Sequence, residues 1–124
     1  MALSTTPLNR TDLPDVIVKQ TDTGNVVSAD VFNGAKSVYF LQLDNSAETV
    51  DDVYFKFYDA KSVDPASSLP VMKIEIGQGS SKTIVIADGL PFSTACSFRC
   101  VTEIGDTGTT GPNDSSTATL LVGS

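Results

Sequence analysis

Short runs of alternating apolar and polar residues, separated by turn residues, recur along the chain from Ser37 to Val122. A period of two is typical of a β-strand that buries one face. In the clearest run, residues 53–59, the two faces carry Val53, Phe55 and Phe57 against Tyr54, Lys56 and Tyr58. The runs follow one another with turn-rich loops between them and no helical period, which favours a sandwich over an α/β fold. We therefore expect an all-β protein, an Ig-like antiparallel β-sandwich of about seven strands.

The same pattern places the other strands. We expect strands at residues 16–18, 37–44, 71–76, 83–87, 95–104 and 117–122, and a return strand at Val26 and Val27. In the run 37–44, the alternation predicts one face with Tyr39, Leu41 and Leu43 and the other with Val38 and Phe40. Both faces of this run are apolar, so we expect the strand to lie in the interior of a sheet.

The first 15 residues are polar, contain Pro7 and Pro14 and show no period, which predicts an extended N-terminal arm. We divide the chain into this arm at residues 1–35, which can supply one or two strands, and a sandwich domain at residues 36–124. An extended arm can add a strand to the sheet edge of a neighbouring molecule. The interface candidates in the arm are its leucines, Leu3, Leu8 and Leu13.

The net charge and the absence of long apolar runs limit the partners that we expect. The chain has 124 residues, and its 15 acidic and 8 basic side chains give a net charge of −7. An acidic surface repels phosphate backbones, so we expect no nucleic-acid partner. The sequence shows no secretory signal and no apolar run of membrane-spanning length, so we expect a protein made and used from the cytoplasm, without a membrane partner.

The residue types needed for most catalytic sites are missing. The sequence contains no histidine, which excludes Ser/His/Asp and Cys/His triads and histidine-containing zinc sites. Cys96 and Cys100 lie four residues apart in one predicted strand, so their Cα atoms are roughly 13 Å apart and cannot form a disulfide. We expect both cysteines to be reduced and buried. The sequence therefore predicts a protein without enzymatic activity and without a cofactor.

Acidic side chains in the loop after residue 43 are the candidates for a metal site. Asp44, Asp51 and Asp52 lie there with Asn45 and Glu48, and hard cations such as calcium prefer several oxygen ligands of this kind. The spacing does not match an EF-hand. Asp and Asn also favour turns because they hydrogen-bond to the local backbone, and turn chemistry is the interpretation that we favour.

The polar face of residues 53–59 is the candidate for a contact surface. We expect Tyr54, Lys56 and Tyr58 to form an outward stripe, to which Tyr39 can add. Such a stripe can pack on another subunit, stack on a sugar, or line a half-exposed sheet face. Sugar-binding modules normally use tryptophan, which this chain lacks, so subunit packing is preferred to sugar binding. The long Gly/Thr-rich loop at residues 105–116 adds Thr109 as an interface candidate.

The order of segments over residues 53–119 resembles a known family. The segments are VYFKFYDAKS, GQGSSKTIVI and DGLPFSTACSFRCVTEIGDTGTTGPNDSSTATL. They resemble small β-sandwich structural proteins from the virions of tailed bacteriophages. The matching residues are Lys56, Tyr58, Ala60, Gly89, Leu90, Phe92, Ser93, Thr94, Ser97 and the loop at residues 107–113. The chain departs from the family at Ala95, where members often carry glycine, and at its two cysteines.

The resemblance implies a structural role in a virion that is assembled in the host cytoplasm. The first interpretation is a capsid decoration or cement protein, present in many copies, that contacts other virion proteins and forms homo-oligomers. A neck, tail or fibre component is an alternative. A glycan- or host-binding β-sandwich module is a further alternative of a different class.

Overall fold

The computed structural model describes residues 16–112 and 116–123. This part of the chain is all-β and antiparallel, as predicted, and forms two sheets that pack face to face. The strands are β1 (Val16–Thr23), β2 (Lys36–Asp44), β3 (Val53–Asp59), β4 (Met72–Ile76), β5 (Ser81–Phe92), β6 (Cys96–Val101) and β7 (Ser116–Gly123). The prediction of an antiparallel β-sandwich of about seven strands is confirmed.

The two sheets have four and three strands, the layering of an Ig-like sandwich. The four-stranded sheet has the order β1-β7-β2-β5, and the three-stranded sheet has the order β4-β3-β6. The last strand, β7, lies between β1 and β2, so the C-terminal segment is interior to its sheet. β2 lies between β7 and β5, which confirms the interior position predicted for residues 37–44.

The hydrophobic core lies between the inner faces of the two sheets. Phe57 of β3 and Phe98 of β6 pack with ring centroids 5.5 Å apart. Leu41 of β2 and Leu120 of β7 lie opposite each other and reach the core from the other sheet. Truncating one buried phenylalanine in such a core typically costs about 3–5 kcal/mol. The core also contains Cys96 and Cys100, which are free and buried as predicted.

β2 departs from the predicted alternation. Val38 is buried in the core together with Leu41 and Leu43, and the register shifts between Val38 and Phe40. The expectation that Val38 shares a face with Phe40 is therefore wrong, because the irregularity moves Val38 to the inner face. On the partner strand β5, Gly89 has a φ of 79°, and a Cβ atom there would lie 3.0 Å from the Tyr39 ring. Glycine is thus required where β5 passes Tyr39.

The segment between β1 and β2 is not the return strand that the sequence suggested. Val26 is 79% exposed, and the segment contacts β6 through one isolated bridge, Ser28 to Phe98, and through single backbone hydrogen bonds of Gly24 and Val31. The expectation of a strand at residues 26–27 is therefore wrong, because two adjacent valines without alternation provide no buried face. Phe32 nevertheless enters the core beside Phe92. Residues 16–35 thus supply one strand, β1, and part of the common core.

Two segments of the resemblance meet at the end of β3. The carboxylate of Asp59 accepts hydrogen bonds from the Ser93 amide and hydroxyl and from the amides of Thr94 and Ala95, at 2.8–3.2 Å. The Ser97 hydroxyl donates to the carbonyl of Ala60 at 2.6 Å. The segments FYDA and FSTACS therefore form one turn clamp that joins β3 to the β5–β6 connection. The amide of Thr94 first, and then the Ser93 and Ala95 donors, lower the pKa of Asp59.

We predict that Asp59→Asn lowers the free energy of unfolding by about 1–2 kcal/mol near neutral pH, because the amide replaces a charged acceptor in a partly solvent-screened position. The folded-state pKa lies below the ordinary value of 3.8. The carboxylate's contribution is therefore present above that pH and is lost as the pH falls through the folded-state pKa.

Urea denaturation of the wild type and of Asp59→Asn, near neutral and at about pH 3, measures both effects. The exposed Asp88→Asn is the matched control, for which we expect no comparable loss. A difference between wild type and Asp59→Asn that stays constant over this pH range would contradict the account.

Candidate functional site

The polar face of β3 is covered, which corrects the predicted outward stripe. Lys56 and Tyr58 are 0% and 1% exposed, while Tyr54 is half-buried. The expectation that the three side chains point into solvent is wrong for Lys56 and Tyr58. Lys56 donates to the loop at residues 102–112, and Tyr58 packs against Arg99. Of the two tyrosine rings on this face, only that of Tyr54 is reached by solvent.

Three cations form one row under this loop. In the strand register, Lys56 of β3 lies directly opposite Lys73 of β4 on one side and Arg99 of β6 on the other. Directly opposed side chains of like charge repel. We call Lys73, Lys56 and Arg99 the cation row. Arg99 is fully buried like Lys56, and Lys73 is at the exposed end.

The loop covers the cation row with backbone carbonyls. Lys73 donates to the carbonyl of Ile104 at 3.0 Å, Lys56 to that of Gly105, and the Arg99 Nη2 to that of Asp106 at 3.4 Å. Three successive carbonyls thus accept from three aligned cations. Asp106 also forms a 2.7 Å ion pair with Lys73 through its side chain, and this bond lowers the pKa of Asp106.

Arg99 is bonded at two of its three nitrogens. Its Nε donates to the Tyr58 hydroxyl at 2.9 Å, and its guanidinium lies 6.0 Å from the centroid of that ring. Its Nη1 is buried and has no hydrogen-bond partner. A buried donor without an acceptor is unusual in folded proteins and costs free energy.

Thr109, the interface candidate in the loop, is exposed. Its carbonyl accepts a hydrogen bond from the Asn25 side chain at 3.1 Å, so the loop is fastened to the β1–β2 connection as well as to the cation row. Within the loop, the Thr110 amide donates to Glu103 Oε1 at 2.8 Å. The position of Thr109 is compatible with its predicted role, which stays a prediction.

The calcium candidates take part in turns. Asp44 accepts from the amide of Ser46 at 2.8 Å, and Asp52 accepts from that of Gln78 at 2.9 Å. The backbone carbonyl of Asp51 accepts from the Asn45 side chain at 3.2 Å. Over residues 16–112 and 116–123, the structure has no group of three or more Cys, Asp or Glu side chains placed to hold a metal ion. The hydrogen bonds of these residues are those of turn chemistry.

The outer face of the four-stranded sheet carries a feature that sequence reasoning missed. Ile17, Leu121, Phe40 and Val85 lie opposite one another in consecutive strands β1, β7, β2 and β5. We call these four residues the apolar row. Ile17 and Val85 are 71% and 72% exposed, and a shallow depression of about 200 Å³ is lined by Ile17, Phe40 and Leu121. At a strand spacing of about 4.8 Å, the row is roughly 14 Å long.

The sequence contains a partial signal for the apolar row. Phe40 and Leu121 each neighbour core residues in the chain and so fall on the opposite face of their strands, where a polar residue is expected. Alignment into one row depends on the pairing register, which the sequence alone does not give. The arm candidates Leu3, Leu8 and Leu13 lie outside the described residues.

Comparisons with protein-family models, with curated proteins and with solved structures gave no match. The described residues include no helix of the length and apolarity that a membrane span requires.

We predict that Lys56→Met removes a pH dependence of stability. Burial first, and then the charges of Arg99 and Lys73, lower the pKa of Lys56 below its ordinary 10.5. Between that lowered pKa and 10.5 the unfolded chain binds more protons than the folded one, so wild-type stability rises with pH in this window. Below the window, the folded protein carries the full penalty of the buried charge.

Urea denaturation at a series of pH values, from neutral to mildly alkaline, tests this expectation. The stability of the wild type relative to Lys56→Met should increase with pH, whereas the exposed Lys61→Met should follow the wild type. Parallel curves for the wild type and Lys56→Met would show that Lys56 titrates normally.

Proposed function

We propose that this protein is a non-enzymatic structural component of a tailed-phage virion, a decoration or cement protein bound in many copies to the capsid. The observation that carries the proposal is the apolar row across the outer face of the four-stranded sheet. Apolar side chains aligned over four strands and rimmed by polar ones are typical of a protein contact surface.

The residues around the apolar row favour contact with another protein. The next outward row, Lys19, Thr119, Gln42 and Thr83, is polar and carries one charge. In a chain with a net charge of −7, this face presents little like-charge repulsion to a second copy or to an acidic shell. The face therefore suits both the virion partners and the homo-oligomers implied by the resemblance.

The chemistry of the described residues supports a non-catalytic role. The two thiols are buried, and burial raises the pKa of Cys100 to about 12 and that of Cys96 further, so neither is a nucleophile at neutral pH. The perturbed lysine, Lys56, is bonded beneath a loop and is not placed in an open cleft. Rigidity and contact surfaces are what a many-copy accessory requires.

The motif residues of the resemblance support the fold that this role needs. The matching residues Ser93, Thr94 and Ser97 hold the turn after β5, the first two through bonds to Asp59, and Gly89 lets β5 pass Tyr39. These residues stabilise the scaffold, so the resemblance bears on architecture.

We predict that Val85→Glu reduces binding of the purified protein to capsids that lack it by about tenfold or more, because docking would bury an unpaired carboxylate. Val85 is exposed in the free protein, so the substitution should leave the melting temperature almost unchanged. The matched control is Val71→Glu, which makes the same change at a valine that is 62% exposed and lies outside the apolar row.

Co-sedimentation of each variant with capsids measures the effect. The proposal expects loss for Val85→Glu and wild-type binding for Val71→Glu. Equal binding of the wild type and both variants would show that the apolar row is not the contact surface. Absence of the wild-type protein from capsids and from complete particles would overturn the virion role.

A further inference from the structure

The cation row concentrates positive charge in an acidic chain. Three of the chain's eight basic residues, Lys73, Lys56 and Arg99, lie directly opposite one another. Two of them are fully buried, where like charges are poorly screened by solvent. Such an arrangement is stable only if anions or strong acceptors offset it.

The hydrogen bonds to the two buried cations come from neutral groups, while the carboxylates of Asp106 and Glu103 act on Lys56 only through their charge. Among the described residues, one carboxylate, that of Asp106, forms an ion pair with the row, and its partner is Lys73 at the exposed end. The two buried cations are held by the carbonyls of Gly105 and Asp106 and by a tyrosine hydroxyl. Neutral acceptors offset a buried cation less than a carboxylate or phosphate does.

The Arg99 nitrogens that could bind an anion are hydrogen-bonded to two neutral oxygens. Adjacent Nε and Nη groups of arginine form the fork that holds a carboxylate or phosphate with two parallel hydrogen bonds. In this structure, the Tyr58 hydroxyl lies on Nε at 2.9 Å and the Asp106 carbonyl lies 3.4 Å from Nη2. The remaining Nη1 is buried and unpartnered, which leaves a donor available inside the site.

The loop at residues 102–112 can move away from the cation row while the hydrophobic core stays buried. No residue of the loop at 102–112 belongs to the hydrophobic core, and its large apolar side chain, Ile104, is 60% exposed. The loop is fastened by hydrogen bonds to the cation row and by Asn25, and it contains Gly105, Gly108 and Gly111. Lifting it therefore breaks polar contacts and leaves the core between the two sheets covered.

We propose that the cation row is a binding site for an oxyanion, a carboxylate or phosphate group of a ligand, which displaces the carbonyls of Ile104, Gly105 and Asp106. The anion takes the bonds of Lys56 and Arg99 that these carbonyls now fill. The proposal is independent of the role of the apolar row, because the two rows lie on the outer faces of different sheets.

The test is titration of the ¹⁵N-labelled protein with sodium phosphate, followed by NMR, against sodium chloride at equal ionic strength. We expect saturable shifts of the Arg99 Nε–H signal and of the amides of residues 104–106 with phosphate only. Asp106→Asn removes the competing carboxylate and should lower the half-saturating phosphate concentration by up to about fivefold. Lys73→Gln removes a cation of the row and should raise it by a similar factor.

Matched controls separate the site from net charge. Asp88→Asn and Lys61→Gln make the same charge changes at exposed positions outside the row and should leave the half-saturating concentration unchanged. Equal effects of Asp106→Asn and Asp88→Asn would overturn the proposal, as would identical spectra in phosphate and chloride. A short oligoglutamate peptide is the second titrant, and whichever of the two titrants binds more tightly identifies the carboxylate or phosphate source.

Discussion

Apolar packing between the inner faces of the two sheets is the constraint on which the rest of the structure depends. Because strand side chains alternate, the residues that enter the core determine which neighbours must point outward. Phe55 and Phe57 in the core place Lys56 on the outer face of one sheet. Leu41 in the core likewise places Phe40 on the outer face of the other. Both candidate surfaces are thus consequences of the same packing.

The two outer faces differ in a way that suits different contacts. The face of the four-stranded sheet presents apolar side chains directly to solvent, and a partner gains stability by covering them. The face of the three-stranded sheet presents cations and is covered by the chain's own loop, where three backbone carbonyls each accept one hydrogen bond from a cation. A protein built in this way can bind a partner through its four-stranded sheet while the loop still covers the cations of its three-stranded sheet.

The sequence predicted the strands where alternation is regular and failed where tertiary contacts override it. Residues 53–59 form β3 with the predicted bounds, because one face is continuously apolar. The alternation misplaced Val38, since a register irregularity in β2 is not encoded by a period. It also treated Lys56 and Tyr58 as exposed, because their partners Gly105 and Arg99 lie 49 and 41 residues further along the chain and are brought to them by strand register and long-range hydrogen bonds. The apolar row was missed for the same reason.

The central claim is that this chain attaches to a capsid through the outer face of its four-stranded sheet. A cryo-EM reconstruction of the virion at a resolution that separates strands tests it most directly. The account predicts seven-stranded sandwich density repeated over the capsid lattice, with the strands that carry Phe40 and Val85 against the shell. Density confined to the neck or tail, or a capsid-bound sandwich whose four-stranded sheet faces solvent, would contradict it.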